Sequence, residues 1–168
     1  GTSSAQFGYA VSVDGDTAAV GAPHRATFNG GAYVFVRSGT TWTQQTYFAG
    51  QAGSAEWLGS AVSLSGDTLI AGAHHHYTIL PFDGLSYVYV RSGTTWSQQD
   101  VLSDPTPTSG GNFGWVVSLD GDQALIGQSN FSANVFVRTG TAWSLQAELL
   151  PGESADRFGT AVALDGER

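Results

Sequence analysis

The stretch Ala71-Gly72-Ala73-His74-His75-His76-Tyr77-Thr78 holds three of the four histidines in the chain. In an extended segment alternate side chains point the same way, so His74 and His76 could share a metal ion, with His24 or Asp83 as third ligand. A second chemistry uses His76 and Tyr77 as base and acid on a polysaccharide. A third involves no reaction: Tyr77, Leu80 and Phe82 form an apolar loop tip that contacts a partner. Glu56, Asp104, Glu148, Glu153 and Asp156 could supply a glycosidase-like carboxylate pair, but no spacing among them selects one. The choice depends on the elements that carry these residues.

Those elements repeat. Phe7-Gly8-Tyr9-Ala10-Val11 returns as Leu58-Gly59-Ser60-Ala61-Val62, as Phe113-Gly114-Trp115-Val116-Val117 and as Phe158-Gly159-Thr160-Ala161-Val162. A second block recurs in phase, Tyr33 to Trp42, Tyr87 to Trp96 and Asn134 to Trp143. Each unit reads as four strands. The first, Phe7 to Val13 in the first copy, alternates large and small residues, as expected of a strand lying between two sheets. An Asp-Gly or Ser-Gly turn (Asp14-Gly15, Ser65-Gly66, Asp120-Gly121) leads into a short apolar second strand. The third, beginning at Tyr33, is an unbroken apolar run expected to be buried on both faces. A Ser-Gly-Thr turn opens the fourth, which starts at a tryptophan. Four antiparallel strands per unit of about 45–55 residues predict an all-β protein of β-propeller blades. The expected organisation is one propeller domain over 1–168, with repeats at about 7–57, 58–112 and 113–157. The first strand of a fourth, Phe158 to Leu164, follows within 158–168.

Composition removes several function classes. Six arginines and no lysine face 14 acids, for a net charge of −8, which disfavours binding to a nucleic-acid backbone. Without lysine there is neither a P-loop nor a Schiff base, and without cysteine neither a disulfide nor a thiolate metal site. No apolar run reaches the ~18 residues of a membrane span. Methionine is absent even at position 1, so a fragment of a longer propeller is expected; otherwise several chains complete one ring. Arg37, Arg91 and Arg138 each precede a tryptophan by the same short hairpin, a spacing that predicts guanidinium–indole stacking within the blade.

Phe7-Gly8 followed by Val20-Gly21-Ala22-Pro23 resembles the two halves of the FG-GAP repeat, and Gly31 to Gln45 is similar to its bacterial branch. The resemblance implies a propeller related in architecture to the head of integrin α-subunits, with the loop between second and third strands on a ligand-binding face. It also implies calcium in D-x-D-x-D-G loops, which Asp14-Gly15-Asp16, Ser65-Gly66-Asp67 and Asp120-Gly121-Asp122 do not spell; no cofactor is expected. Aligned on the repeat, His75 stands opposite His24, so all four histidines share one loop position. The chain is therefore expected to be a non-enzymatic, secreted or cell-surface binding module for a protein or polysaccharide. Its contact residues are His24, His74, His75, His76, Tyr77 and Phe82, with no catalytic or metal residue assigned. The alternatives are a piece of a polysaccharide-degrading enzyme, or a self-assembling subunit whose spare strand docks into a neighbour.

Overall fold

The computed structural model describes residues 5–77, 80–129, 131–152 and 157–166; Glu153, Asp156 and the last two residues of the fourth repeat lie outside them. The described residues form three four-stranded antiparallel sheets, each in the simple order of its strands. Blade 1 consists of β1 (Val11–Asp14), β2 (Thr17–Gly21), β3 (Gly31–Ser38) and β4 (Thr41–Ala49). Blade 2 consists of β5 (Ala61–Ser65), β6 (Thr68–Ala73), β7 (Leu85–Ser92) and β8 (Thr95–Leu102). Blade 3 consists of β9 (Val116–Asp120), β10 (Gln123–Gly127), β11 (Ala133–Thr139) and β12 (Ala142–Leu149). The all-β propeller architecture is therefore present, as a partial ring. The repeat extends to a bulge between third and fourth strands, at Val34/Phe35, Val88/Tyr89 and Val135/Phe136.

The blades pack through the two motifs that recur in sequence. Each second strand carries a glycine at or next to its end, and a Cβ on Gly21, Gly72 or Gly127 would run into the carbonyl oxygen of Gly59, Gly114 or Gly159 in the following repeat. Those partners are themselves left-handed, with φ of +84°, +85° and +75°, a conformation only glycine adopts without strain. The paired glycines are thus the point where one blade's backbone lies on the next.

Side chains extend the contact. Ser12 Oγ accepts from Leu64 N–H and Ser63 Oγ from Leu119 N–H, both at 3.0 Å. Arg91 Nη1 and Arg138 Nη1 donate to Thr17 and Thr68 of the preceding blade, both at 2.9 Å. Trp96 and Trp143 donate from Nε1 to Gln45 and Gln99, also one blade back, at 2.7 and 3.0 Å. The apolar cores lie at the same junctions: Ala19, Val34, Leu64 and Leu69 between blades 1 and 2, and Ile70, Val88, Leu119 and Phe136 between blades 2 and 3. The expected stacking is also present, with Arg37, Arg91 and Arg138 at 5.6, 5.3 and 5.2 Å from their tryptophan rings.

Three local expectations are corrected. The first strand begins at Val11, not Phe7, because Gln6-Phe7-Gly8 forms a turn in which Gly8 N–H reaches the Gly21 carbonyl at 3.0 Å. The third strand is buried on both faces only in blade 2, where Val88 and Tyr89 are covered from two sides; β3 alternates instead. Among the described residues blade 1 has a neighbour on one side only, and Phe7 and Val11 are 58% and 66% exposed. Lastly, Phe158 to Leu164 is not a strand. The segment follows the expected path, with Leu164 N–H on Ser118 Oγ and Gly166 N–H on Asp120, but among the described residues no second strand pairs with it.

Candidate functional site

The histidine loop leaves β6 at Ala73 and turns at once, His76 N–H bonding the Ala73 carbonyl at 3.1 Å. It is held against the connection between blades 1 and 2: His75 N–H donates to the Glu56 carbonyl, and His75 Nδ1 lies 3.2 Å from the Ala55 carbonyl. The turn sends the three imidazoles to three separate partners. His74 is buried, with Nδ1 2.8 Å from Ser60 Oγ. His75 stacks on Trp57, ring centroids 4.4 Å apart and planes within 8°. His76 turns inward, its Nε2 3.4 Å from the Glu56 carboxylate. His74 and His76 therefore do not share a ligand, and Asp83 bonds Leu80 N–H at 3.1 Å. Among the described residues no three His, Cys, Asp or Glu side chains come together as a metal site.

The turn carboxylates do not fit calcium either. Asp16, Asp67 and Asp122 each bind the arginine of their own third strand at 2.6–2.7 Å. Asp14 and Asp120 accept backbone N–H groups of the next repeat. Carboxylates turned to separate partners cannot converge on one ion needing six to eight oxygens.

The structure does assemble a row of aromatic rings across one face. His24 sits 4.8 Å from both Phe28 and Trp57. Trp57 contacts His75, which packs on Phe82 at 4.1 Å, and Phe82 on Tyr77 at 4.6 Å. On the other side His74 lies between Trp57 and Trp115, 4.7 Å from the latter. Phe28, Tyr77 and Trp115 are exposed. Of the six residues singled out in the sequence, five lie in this row; His76 lies behind it. Below the loop, His76 and Tyr77 line a cavity of about 450 Å³ with Gln51 and Ser54.

Backbone conformation places these rings. Trp57 and Phe82 are left-handed, with φ of +59° and +56°, and Phe28 has φ of +73°. An aromatic residue in this region is held there at a cost of about 1–2 kcal/mol. The feature recurs: Phe28 and Phe82 each stand two residues before a glycine (Gly30, Gly84), and Gln6, Trp57, Asn112 and Arg157 each precede an FG-type pair. Trp57, Trp115 and Phe28 were not singled out in the sequence, because each sits inside a structural motif that hides its exposure. The phase of Phe28 with Phe82 was the one available signal.

Burial adjusts the titratable groups here. His74 is lowered to about 4, by burial first and then by the neighbouring His75. His75 is lowered by burial, opposed in part by its bond to Ala55.

Among the described residues no helix is long and apolar enough to cross a membrane. Comparison with curated proteins gives no match. Residues 1–35 match the family model for the FG-GAP repeat. That segment spans the first two strands, the loop bearing His24 and the start of β3, and blades 2 and 3 reproduce its plan strand for strand. Residues 1–35 thus match the FG-GAP repeat, and the described residues fold as the blades of a partial β-propeller.

Proposed function

We propose that the chain is a non-enzymatic, extracellular binding module that holds a protein or glycan partner on its aromatic face. The observation that carries this is the continuous row from His24 through Trp57, His75 and Phe82 to Tyr77, with Trp115 beyond His74. Exposed aromatic rings on rigid supports are what binding surfaces use, since they bury much apolar area with little loss of side-chain freedom. The test is binding to arrays of glycans and matrix proteins by wild type, Trp115→Ala and Tyr77→Ala, with folding followed by circular dichroism. Both variants are expected to fold and to lose binding. Unchanged binding in both, or turnover on a polysaccharide panel, overturns the proposal.

A second reading, the self-assembling subunit, has its own support. Blade 1 presents the half-interface that blades 2 and 3 bury: Trp42 is 41% exposed, against 8% for Trp96 and 9% for Trp143. Such a face fits the outer surface of a further blade of the same plan, and in this reading a second copy supplies it. A strict monomer by light scattering at high protein concentration rules this reading out.

A further inference from the structure

Behind the histidine loop lies a cavity of about 310 Å³ between blades 1 and 2, apart from the aromatic row. Glu56, only 1% exposed, and Leu58 form its floor, Tyr87 and Tyr89 its wall, and Gln51 and Gln98 its rim. A carboxylate this deep must be compensated, because desolvation disfavours its charge strongly. Its known partners compensate it in part. Gln51 N–H donates to Oε1 at 2.6 Å and the Tyr87 hydroxyl to Oε2 at 2.9 Å. Burial, reinforced by the Glu56 charge, raises both Tyr87 and Tyr89, so these phenols stay protonated and Tyr87 remains a donor. His76 Nε2 stands 3.4 Å from Oε2, while its Nδ1 is buried with no hydrogen-bond partner. Among the described residues no arginine lines the cavity, and the chain contains no lysine.

We infer that this cavity binds an alkylammonium or guanidinium group, with Glu56 as counter-ion and the faces of Tyr87 and Tyr89 as its aromatic wall. The buried charge and the aromatic rings favour a cation over a neutral polyol. The carboxylate is buried and lacks a permanent positive partner, so a cation gains more here than at an exposed acid. Tyrosine faces attract cations through the ring quadrupole, and these two rings lie side by side, 6.4 Å apart with planes within 19°; Phe48 stacks on one face of Tyr89 at 3.7 Å, which leaves its other face and the Tyr87 ring for a cation. At the rim Gln98 offers an amide oxygen to the N–H groups left over, while that of Gln51 lies 3.5 Å from His76 Nε2. The net charge of −8 draws cations toward the surface as a whole. This inference does not rest on the aromatic face being a binding surface, and Trp115→Ala is expected to leave it intact.

The group could belong to a free amine or to a basic side chain of a partner protein. Nuclear magnetic resonance titration of the whole chain distinguishes them, using n-butylammonium, ethylguanidinium, Nα-acetyl-lysine methylamide and the Nε-acetylated form of the last. Neutral n-butanol and sodium chloride serve as controls. The expected result is saturable change at Tyr87, Tyr89 and Gln98 with the cations only, weakened about tenfold or more in Glu56→Gln. If the blocked lysine binds as butylammonium does, the source is a side chain; if only the small amines bind, it is a free amine. Equal binding of butanol, the same shifts with sodium chloride, or no saturable change with any cation overturns the inference. Should Glu56→Gln fail to fold, the comparison of butylammonium with butanol on the wild-type chain decides alone.

Discussion

Replacing the FG-type glycines with alanine separates their two roles, because this chain contains the same glycine with and without a preceding blade. Gly8 and Gly59 share a left-handed backbone, φ +89° and +84°. A Cβ on Gly8 meets nothing within 4 Å, whereas on Gly59 it overlaps the Gly31 carbonyl oxygen and comes within 3.1 Å of Ala22 N and Gly21 Cα. Backbone strain is common to both and amounts to about 1–2 kcal/mol. The clash exists only at Gly59, and its neighbours are backbone that cannot rotate away, adding about 1–3 kcal/mol or more. Gly8→Ala should therefore cost about 1–2 kcal/mol, and Gly59→Ala about 2–5 kcal/mol. At roughly 2–4 °C per kcal/mol for a chain of this size, thermal unfolding followed by circular dichroism resolves the difference. Equal losses in the two variants would refute the reasoning, since the glycine would then serve its own turn and not the packing of blades.

The inter-blade side chains predict the same asymmetry. Trp96→Phe removes the donor to Gln45 and should cost about 1 kcal/mol by urea denaturation, while Trp42→Phe, with its ring exposed, should cost almost nothing. Arg91→Met, which strips Thr17 of a part-buried donor as well as breaking the exposed pair with Asp67, should destabilise more than Arg37→Met, whose only pair is exposed. His74 should make stability fall on mild acidification. Its pKa is about 4 in the fold against 6.5 unfolded, so between those values the unfolded chain binds the extra proton. Its contribution is complete above pH 6.5 and is lost as the pH falls, by about 2 kcal/mol from pH 7 to pH 5. The urea midpoint of wild type should drop over that range by more than that of His74→Gln; parallel pH profiles would show that His74 is not the group responsible.

Much of the fold was legible because the repeat writes it several times over. Strand number, hairpin positions and the arginine–tryptophan contact all follow from local pattern, since each depends on residues close in the chain. The start of β1 was misjudged for a reason visible in Gly8 and Gly59. Alternation runs unbroken through Phe7 and Tyr9, but the glycine between them turns the chain, and its counterpart Gly59 meets the preceding blade. Likewise β3 and β7 are nearly identical in sequence, yet only β7 is covered on both sides.

For the site, the sequence by itself put every histidine at one loop position and set Tyr77 and Phe82 beside three of them. It also specified, through motif phase, the glycines that let blades meet. Only the tertiary structure decided which way each ring turns. His75 reaches Trp57 and His76 reaches Glu56 because the histidine loop folds onto the connection between blades 1 and 2. Neighbours in the chain are thereby separated, and residues some twenty positions apart brought into contact. A pattern of residue types records periodicity along one strand, but burial and charge pairing arise between strands of different blades, and that is where both the aromatic row and the Glu56 cavity are made.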